Sequence, residues 1–174
     1  DSYGSRGLGD VYKRQPIYAV IQGIFLGAIS YTFNSLYDGI VITAISYTLS
    51  ILFVMLTLYR TGIIKPTENF KLGVAAGTGG IALIYLANFV MSFFGTGLSI
   101  MDINNASMYS IGFSLLVIVM ASLNLVVDFD FIEEGSEKRA PKYMEWYGAF
   151  GLLVTLIWLY LEILRLLAKM NSRK

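Results

Sequence analysis

The stretch that decides the fold lies between residues 107 and 169 and contains two long apolar segments. The first reads SMYSIGFSLLVIVMASLNLVVDFDFIE over 107–133, and the second reads PKYMEWYGAFGLLVTLIWLYLEILRLLAK over 141–169. Each is long enough to cross a bilayer as a helix, which takes about 20 residues. Acidic residues stand where these segments meet polar sequence, and Glu162 lies well inside the second. Because carboxyl groups in a bilayer are costly, these residues are the first functional candidates.

The composition of the whole chain is that of a membrane protein. Of its 174 residues, 56% are hydrophobic and 14% are charged, whereas soluble domains carry about 25% charged residues. The net charge of +1 provides no broad basic surface, so we expect a lipid bilayer and no nucleic acid as partner. Histidine and cysteine are absent. Their absence argues against an enzyme, a cofactor and the usual kinds of metal site.

Three further apolar segments precede this pair, so the sequence predicts an all-α, polytopic fold with five membrane-spanning helices. The helices are predicted over 16–36, 40–59, 69–94, 107–127 (extendable to 132) and 142–169. Pro16 suits the first position of a helix, Asp38-Gly39 predicts a tight turn, and Thr67 predicts a helix cap. Without a soluble segment between the helices, residues 16–174 are predicted to form a single transmembrane domain.

Residues 1–15, DSYGSRGLGDVYKRQ, do not match the segments that follow. They are polar and rich in glycine, and they lack the apolar core of a signal peptide. Their end, DVYKRQ, is what a sequencing-library transposon end would encode in one reading frame. We expect either a non-native leader fused to a truncated gene or a short disordered tail, and we leave this tract out of the predicted fold.

Small residues at helical spacing predict close contacts between helices. The predicted packing positions are Gly23, Gly27, Gly73, Gly77 and Gly80. Glycine lets two helices approach closely in lipid. The glycine-rich run over 73–80 is not a phosphate-binding loop, because it lacks both the preceding strand and the Lys-Ser/Thr ending.

The distribution of lysine and arginine predicts the orientation and also creates a conflict. The loops over 60–71 and 138–142 carry three basic residues each, whereas those over 37–39 and 95–106 carry none. Basic short loops stay in the cytoplasm. Five spans then put the C-terminal basic residues outside: Arg165, Lys169, Arg173 and Lys174. Either these charges are exported, or the last helix does not fully cross.

Several motifs are similar to the bacterial YccA-like branch of the Bax inhibitor-1 family. They are GIFLGAIS (23–30), YRTG (59–62), LVVDFDFIE (125–133), PKYMEWY (141–147) and WLYLEILRLL (158–167). The resemblance covers 16–174 and implies a seven-helix fold of which this chain holds the last five. It further implies a multi-pass protein of the bacterial inner membrane that is a pH-sensitive leak with calcium as the transported ion. The alternative that it implies is a non-conducting regulator of a membrane-bound AAA protease.

The resemblance also nominates a pH-sensing site. Channel-like family members place two aspartates on the last two helices, where they share a hydrogen bond and sense pH. Asp128 matches the first, whereas the second falls near Thr155, so Glu145 and Glu162 are the candidates for the second carboxyl. Paired carboxyls titrate as a unit and offer oxygen ligands to calcium. The alternative is that Asp128 simply marks the water boundary of its helix.

The remaining charged candidates have a structural and a functional interpretation. Arg165 matches the arginine that the family carries on its last helix, which implies a gating ion pair. Since Glu162 and Arg165 are three residues apart, a local ion pair on one helix is the simpler interpretation. Glu145 in the first turn of its helix would favour the helix dipole. For Asp130 and Glu133 we expect a role at the boundary with water.

Overall fold

The computed structural model describes residues 2–98, 102 and 107–173, with their side chains from residue 13 onward. It contains the helices α1 (Ser2–Leu36), α2 (Ile40–Arg60), α3 (Glu68–Phe93), α4 (Met108–Glu137) and α5 (Tyr143–Ser172). Each contains a segment long and apolar enough to cross a membrane. No strand occurs within the described ranges. The predicted all-α fold of a polytopic membrane protein is therefore confirmed.

Local sequence signals place two of the helix boundaries as predicted. Gly39 adopts a left-handed conformation with φ of 77° in the turn between α1 and α2, which glycine tolerates without steric cost. The Thr67 side chain accepts a hydrogen bond of 3.2 Å from the backbone N–H of Phe70 and so caps α3. This bond satisfies one of the free N–H groups in the first turn.

The first helix begins earlier than predicted. It starts at Ser2, and Pro16 lies inside it, so the predicted start at Pro16 is wrong. Proline favours a first helical position but is also found within helices, where it removes one backbone hydrogen bond. The segment that could span a membrane starts at Lys13. The origin of residues 1–15 stays a prediction.

The fourth helix extends past its predicted end at residue 127 to 132 and ends at Glu137. Lys138 forms an ion pair with Glu134, one helical turn earlier. A pair at this spacing stabilises a helix by a few tenths of a kcal/mol, so it makes a small contribution to the helical extension. The hydrogen bond and the negative charge of Glu134 hold the pKa of Lys138 above its ordinary value of 10.5.

The antiparallel pair of α4 and α5 forms the centre of the molecule. Its contacts run from Ile132 against Gly148 at one end to Ser114 against Lys169 at the other. The α2 helix packs on both members, and α1 and α3 pack on the outside of this group. The fully buried apolar core consists of Ala44, Val117, Ala121, Leu125, Val126, Leu159, Leu164 and Ala168.

Polar contacts tie α2 and α3 to the C-terminal end of α4. Lys71 forms an ion pair of 2.5 Å with Asp130, and the Tyr59 hydroxyl donates a hydrogen bond to Glu133. The two basic loops therefore lie at the same end of the bundle, as the predicted orientation requires. Asp130 and Glu133 join helices at this end.

The glycines differ in what surrounds them. An ideal Cβ on Gly77 would lie 2.3 Å from the terminal methyl of Met120, which shows a close approach of α3 to α4. At Gly23, Gly27, Gly73 and Gly80, by contrast, such an atom would have nothing within 4 Å in the described part of the chain. The packing predicted for these four glycines is not seen among the described residues and stays a prediction.

Candidate functional site

Asp128 lies in the interface between α4 and α5. The neighbouring α5 residues are Gly151, whose ideal Cβ would lie 3.6 Å from Asp128 Oδ1, and Thr155, whose hydroxyl interacts with the carboxyl group. The Thr155 hydroxyl also donates to the Gly151 carbonyl oxygen at 3.1 Å. A glycine facing the carboxyl leaves space, and a hydroxyl can either donate or accept a hydrogen bond there. Asp128 therefore faces a small polar niche.

Neither candidate for the second carboxyl is hydrogen-bonded to Asp128. Glu145 lies in the first turn of α5, about 9 Å along the helix from Gly151 at a rise of about 1.5 Å per residue. Glu162 lies about 10 Å beyond Thr155 in the other direction. The described residues thus place one carboxyl and one hydroxyl together, and the carboxyl pair expected from the sequence does not form.

Glu162 belongs to a second cluster deeper along α5. The Tyr85 hydroxyl of α3 donates to Glu162 Oε1, and Arg165 donates to the same oxygen at 3.3 Å. The Arg165 guanidinium also lies 5.6 Å from the centre of the Tyr85 ring, within cation–π range. The predicted local ion pair is present, and Tyr85 links it to α3.

A third polar group, Lys169, was not predicted as a site residue. Its side chain is fully buried, and its ammonium donates to Ser114 Oγ at 2.8 Å and to the Ser110 carbonyl oxygen at 3.3 Å. Thr155, Glu162 and Lys169 are seven residues apart and all buried, so they share one face of α5. That seven-residue spacing is the sequence signal that could have identified Lys169.

Some buried polar atoms in the described structure have no hydrogen-bond partner. Among the described side chains, the buried oxygens without a hydrogen-bond partner are Gln22 Oε1, Asp128 Oδ2 and Glu162 Oε2. Trp158 Nε1 is a buried nitrogen that also has no hydrogen-bond partner among the described residues. A buried oxygen without a partner costs free energy, and a proton or a metal cation would remove that cost.

Asp128 and Glu162 lie in two separate polar clusters of the described structure. The described residues contain no group of three or more side chains of the metal-ligating types, whereas calcium in a resident site takes 6–8 oxygen ligands.

Comparison with known proteins identifies the family of the chain. No curated protein and no solved structure matches the chain. A family model described as "Bax inhibitor 1 like" matches residues 13–172. This match covers all five candidate membrane spans and includes Asp128, Glu162 and Arg165, so the chain belongs to the Bax inhibitor 1 like family.

Proposed function

We propose that this protein is a cation leak of the bacterial inner membrane, with calcium as the transported ion and Asp128 as the carboxyl that controls it. The observation that carries the proposal is the buried Oδ2 of Asp128, which has no hydrogen-bond partner among the described residues. Charged groups within membrane-spanning helices mark ion or proton pathways by default. Family membership supports the same assignment.

The mechanism follows from competition at a single carboxylate. When ionised, Asp128 offers two oxygens to calcium, and the Thr155 hydroxyl and nearby backbone carbonyls add neutral oxygens of the kind that calcium accepts. When protonated, the same carboxyl becomes a hydrogen-bond donor that the Thr155 hydroxyl can accept from. Protons and calcium therefore exclude each other at Asp128, and flux decreases as the pH falls.

Arg165 and Glu162 form the gate in this proposal. Their ion pair lies about 10 Å from the Asp128 niche along α5, and Tyr85 ties it to α3. Separation of Glu162 from both Arg165 and Tyr85 would free α3 to move relative to α5 and open a route past Glu162. Glu145 lies at the other end of α5 and would attract cations to the entrance.

The test is calcium flux into liposomes that contain the purified full chain, measured at about pH 6 and pH 8. We expect a larger flux at the higher pH. Asp128→Asn removes the ionisable oxygen and is expected to reduce flux at pH 8 by about tenfold or more and to abolish the pH difference. Asp38→Asn, in an exposed turn, is the matched control and should behave as the wild type.

Two outcomes would contradict the leak. Equal flux in wild type and Asp128→Asn would remove Asp128 from the pathway. No flux in any variant, with the protein monodisperse and helical, would favour a non-conducting regulator. In that case the expected partner is a membrane-bound AAA protease, and degradation of membrane proteins would be the activity to follow.

A further inference from the structure

A cavity of about 810 Å³ lies between the C-terminal end of α4 and the start of α5. Apolar side chains line it from both helices, namely Phe131 and Ile132 on α4 and Met144 and Leu152 on α5. Phe131 and Ile132 are 45% and 41% exposed. Leu152 lies about 10 Å further along α5 than Glu145, at a rise of about 1.5 Å per residue. The cavity therefore extends from the loop between the two helices toward the interior of the bilayer.

Four charged residues also line this cavity, and two of them have no partner. They are Glu134, Lys138, Arg139 and Glu145. Glu134 and Lys138 form an ion pair with each other. Arg139 and Glu145, by contrast, form no ion pair or side-chain hydrogen bond within the part of the chain that the structure describes. The cavity thus offers a ligand one cation and one carboxylate beside apolar walls.

The backbone at Arg139 gives no reason for an arginine at this position. Arg139 adopts a left-handed conformation with φ of 48° just after α4, and the Ala140 N–H donates to the Gly135 carbonyl oxygen at 2.9 Å. Helices commonly end with this hydrogen bond, and glycine is the usual residue at the left-handed position. Because a side chain there carries a steric cost, a ligand for the guanidinium would account for the arginine.

We propose that this cavity binds a phospholipid with a zwitterionic ethanolamine headgroup. The Arg139 guanidinium binds the phosphate, to which its planar set of N–H donors is suited. The Glu145 carboxylate accepts hydrogen bonds from the ammonium of the same headgroup. One acyl chain lies along the apolar walls. The two charges of the cavity therefore complement the two charges of the headgroup in sign and number.

The position and the size of the cavity agree with such a ligand. The loop that borders it is one of the two basic loops, and short basic loops lie at the cytoplasmic surface of the membrane. Pockets between membrane helices on that side are known to bind lipid headgroups. The volume falls within the range of about 300–1,000 Å³ that is typical of ligand pockets. The inference does not depend on the proposed leak, because lipid binding requires no ion pathway.

Two other common headgroups match the cavity less well. A choline headgroup has the same charges but carries no N–H that could donate to Glu145. A glycerol headgroup provides the phosphate but no cation, so Glu145 would repel it. The ammonium of ethanolamine is therefore the group that decides the preference, and Glu145 is the residue that recognises it.

The experiment measures lipid binding to the full chain, purified in detergent and freed of lipid. Native mass spectrometry gives the dissociation constants of phosphatidylethanolamine, phosphatidylcholine and phosphatidylglycerol with identical acyl chains. We expect the wild type to bind phosphatidylethanolamine about tenfold more tightly than the other two, the factor typical of one charge-assisted hydrogen bond. Arg139→Gln should weaken the binding of all three lipids. Glu145→Gln should remove the preference for ethanolamine over choline.

Matched variants separate the cavity from the rest of the surface. Arg60→Gln and Glu68→Gln change exposed charges at the same end of the bundle but outside the cavity, and both should bind as the wild type does. Ala149→Trp places a large side chain at an exposed position of the cavity wall and should weaken the binding of every lipid.

Three results would overturn the inference. Equal affinity of the wild type for the three lipids would indicate unspecific contact with the bilayer. Tighter binding of phosphatidylglycerol would indicate an anionic ligand instead. An unchanged ethanolamine preference in Glu145→Gln would show that this carboxylate does not hold the ammonium. None of these measurements involves flux, so failure of the leak would leave the lipid site standing, and failure of the lipid site would leave the leak standing.

Discussion

The two ends of the α4–α5 interface hold charge in opposite ways. At one end, Asp128 lies beside Gly151 and Thr155, and its Oδ2 has no hydrogen-bond partner among the described residues. At the other end, Lys169 is held by two oxygens of α4. An incompletely partnered carboxylate is available to protons and cations, whereas a hydrogen-bonded ammonium fills its own site. The first end therefore offers an acceptor oxygen without a described partner, whereas the second holds a hydrogen-bonded ammonium.

The largest effect is expected from the apolar layer that keeps the two ends apart. Leu125 is fully buried between them. Leu125→Ala should lower the free energy of unfolding by about 2–5 kcal/mol, since it removes apolar contacts and leaves a cavity. Thermal unfolding in detergent measures the change. Leu116→Ala, at a position 55% exposed on the same helix, should change the Tm little, and equal losses would contradict the proposed layer.

The next effect concerns the gate. Tyr85→Phe removes the hydroxyl that donates to Glu162 and leaves a buried carboxylate with Arg165 as its donor. The expected cost is about 1–3 kcal/mol, typical for a buried polar group that loses its partner. Calorimetry would detect it as a lower Tm. Tyr31→Phe, at a side chain 78% exposed, is the control, and an equal shift in both variants would exclude Tyr85 as a tie between α3 and α5.

A smaller effect is expected in the shape of the pH response. Thr155→Asp places a second carboxyl opposite Asp128. Two interacting carboxyls release their protons in separate macroscopic steps. The curve of calcium flux against pH should therefore broaden from one step to two. Thr155→Val keeps the shape without the hydroxyl and should retain a single step. A single step in Thr155→Asp would show that position 155 does not face Asp128.

The smallest effect is expected from a change outside the α4–α5 interface, at the exposed Glu134–Lys138 ion pair. The Glu134 carboxylate holds the pKa of Lys138 above 10.5. A raised pKa in the folded state stabilises the protein below the unfolded pKa, and this contribution disappears as the pH rises through the folded value. Glu134→Gln should return the pKa of Lys138 toward 10.5, as measured by NMR of the lysine side chain. At neutral pH, stability and flux should not change, because exposed ion pairs contribute little.

Hydropathy predicted the five helices well because the length of an apolar segment is enough to indicate a membrane-spanning helix. The same signals could not predict the partners of the buried charges. Asp128 faces Thr155 and not a second carboxyl because of the register between α4 and α5, which depends on contacts across the whole interface. Lys169 was considered only for its effect on orientation. The Glu162–Arg165 ion pair neutralises one of the C-terminal charges that conflicted with that orientation, and Lys169 is hydrogen-bonded inside the α4–α5 interface.

The charged run after Asp128 shows why the end of α4 was not predicted from the sequence. The predicted helix was expected to end by residue 132, yet α4 continues to Glu137. The local ion pair with Lys138 and the contact from Tyr59 to Glu133 stabilise the extension. The Glu134–Lys138 pair is visible in the sequence as a four-residue spacing. The Tyr59–Glu133 contact joins residues far apart in the sequence and is seen only in the tertiary structure.

The most direct test of the central claim is whether protons and calcium compete at Asp128. Infrared difference spectra of the reconstituted protein between about pH 8 and pH 6 report the C=O band of a protonated carboxyl. We predict a band on acidification that calcium suppresses in the wild type and that is absent in Asp128→Asn. A band that persists in Asp128→Asn, or that calcium leaves unchanged, would contradict control of the leak by this carboxyl.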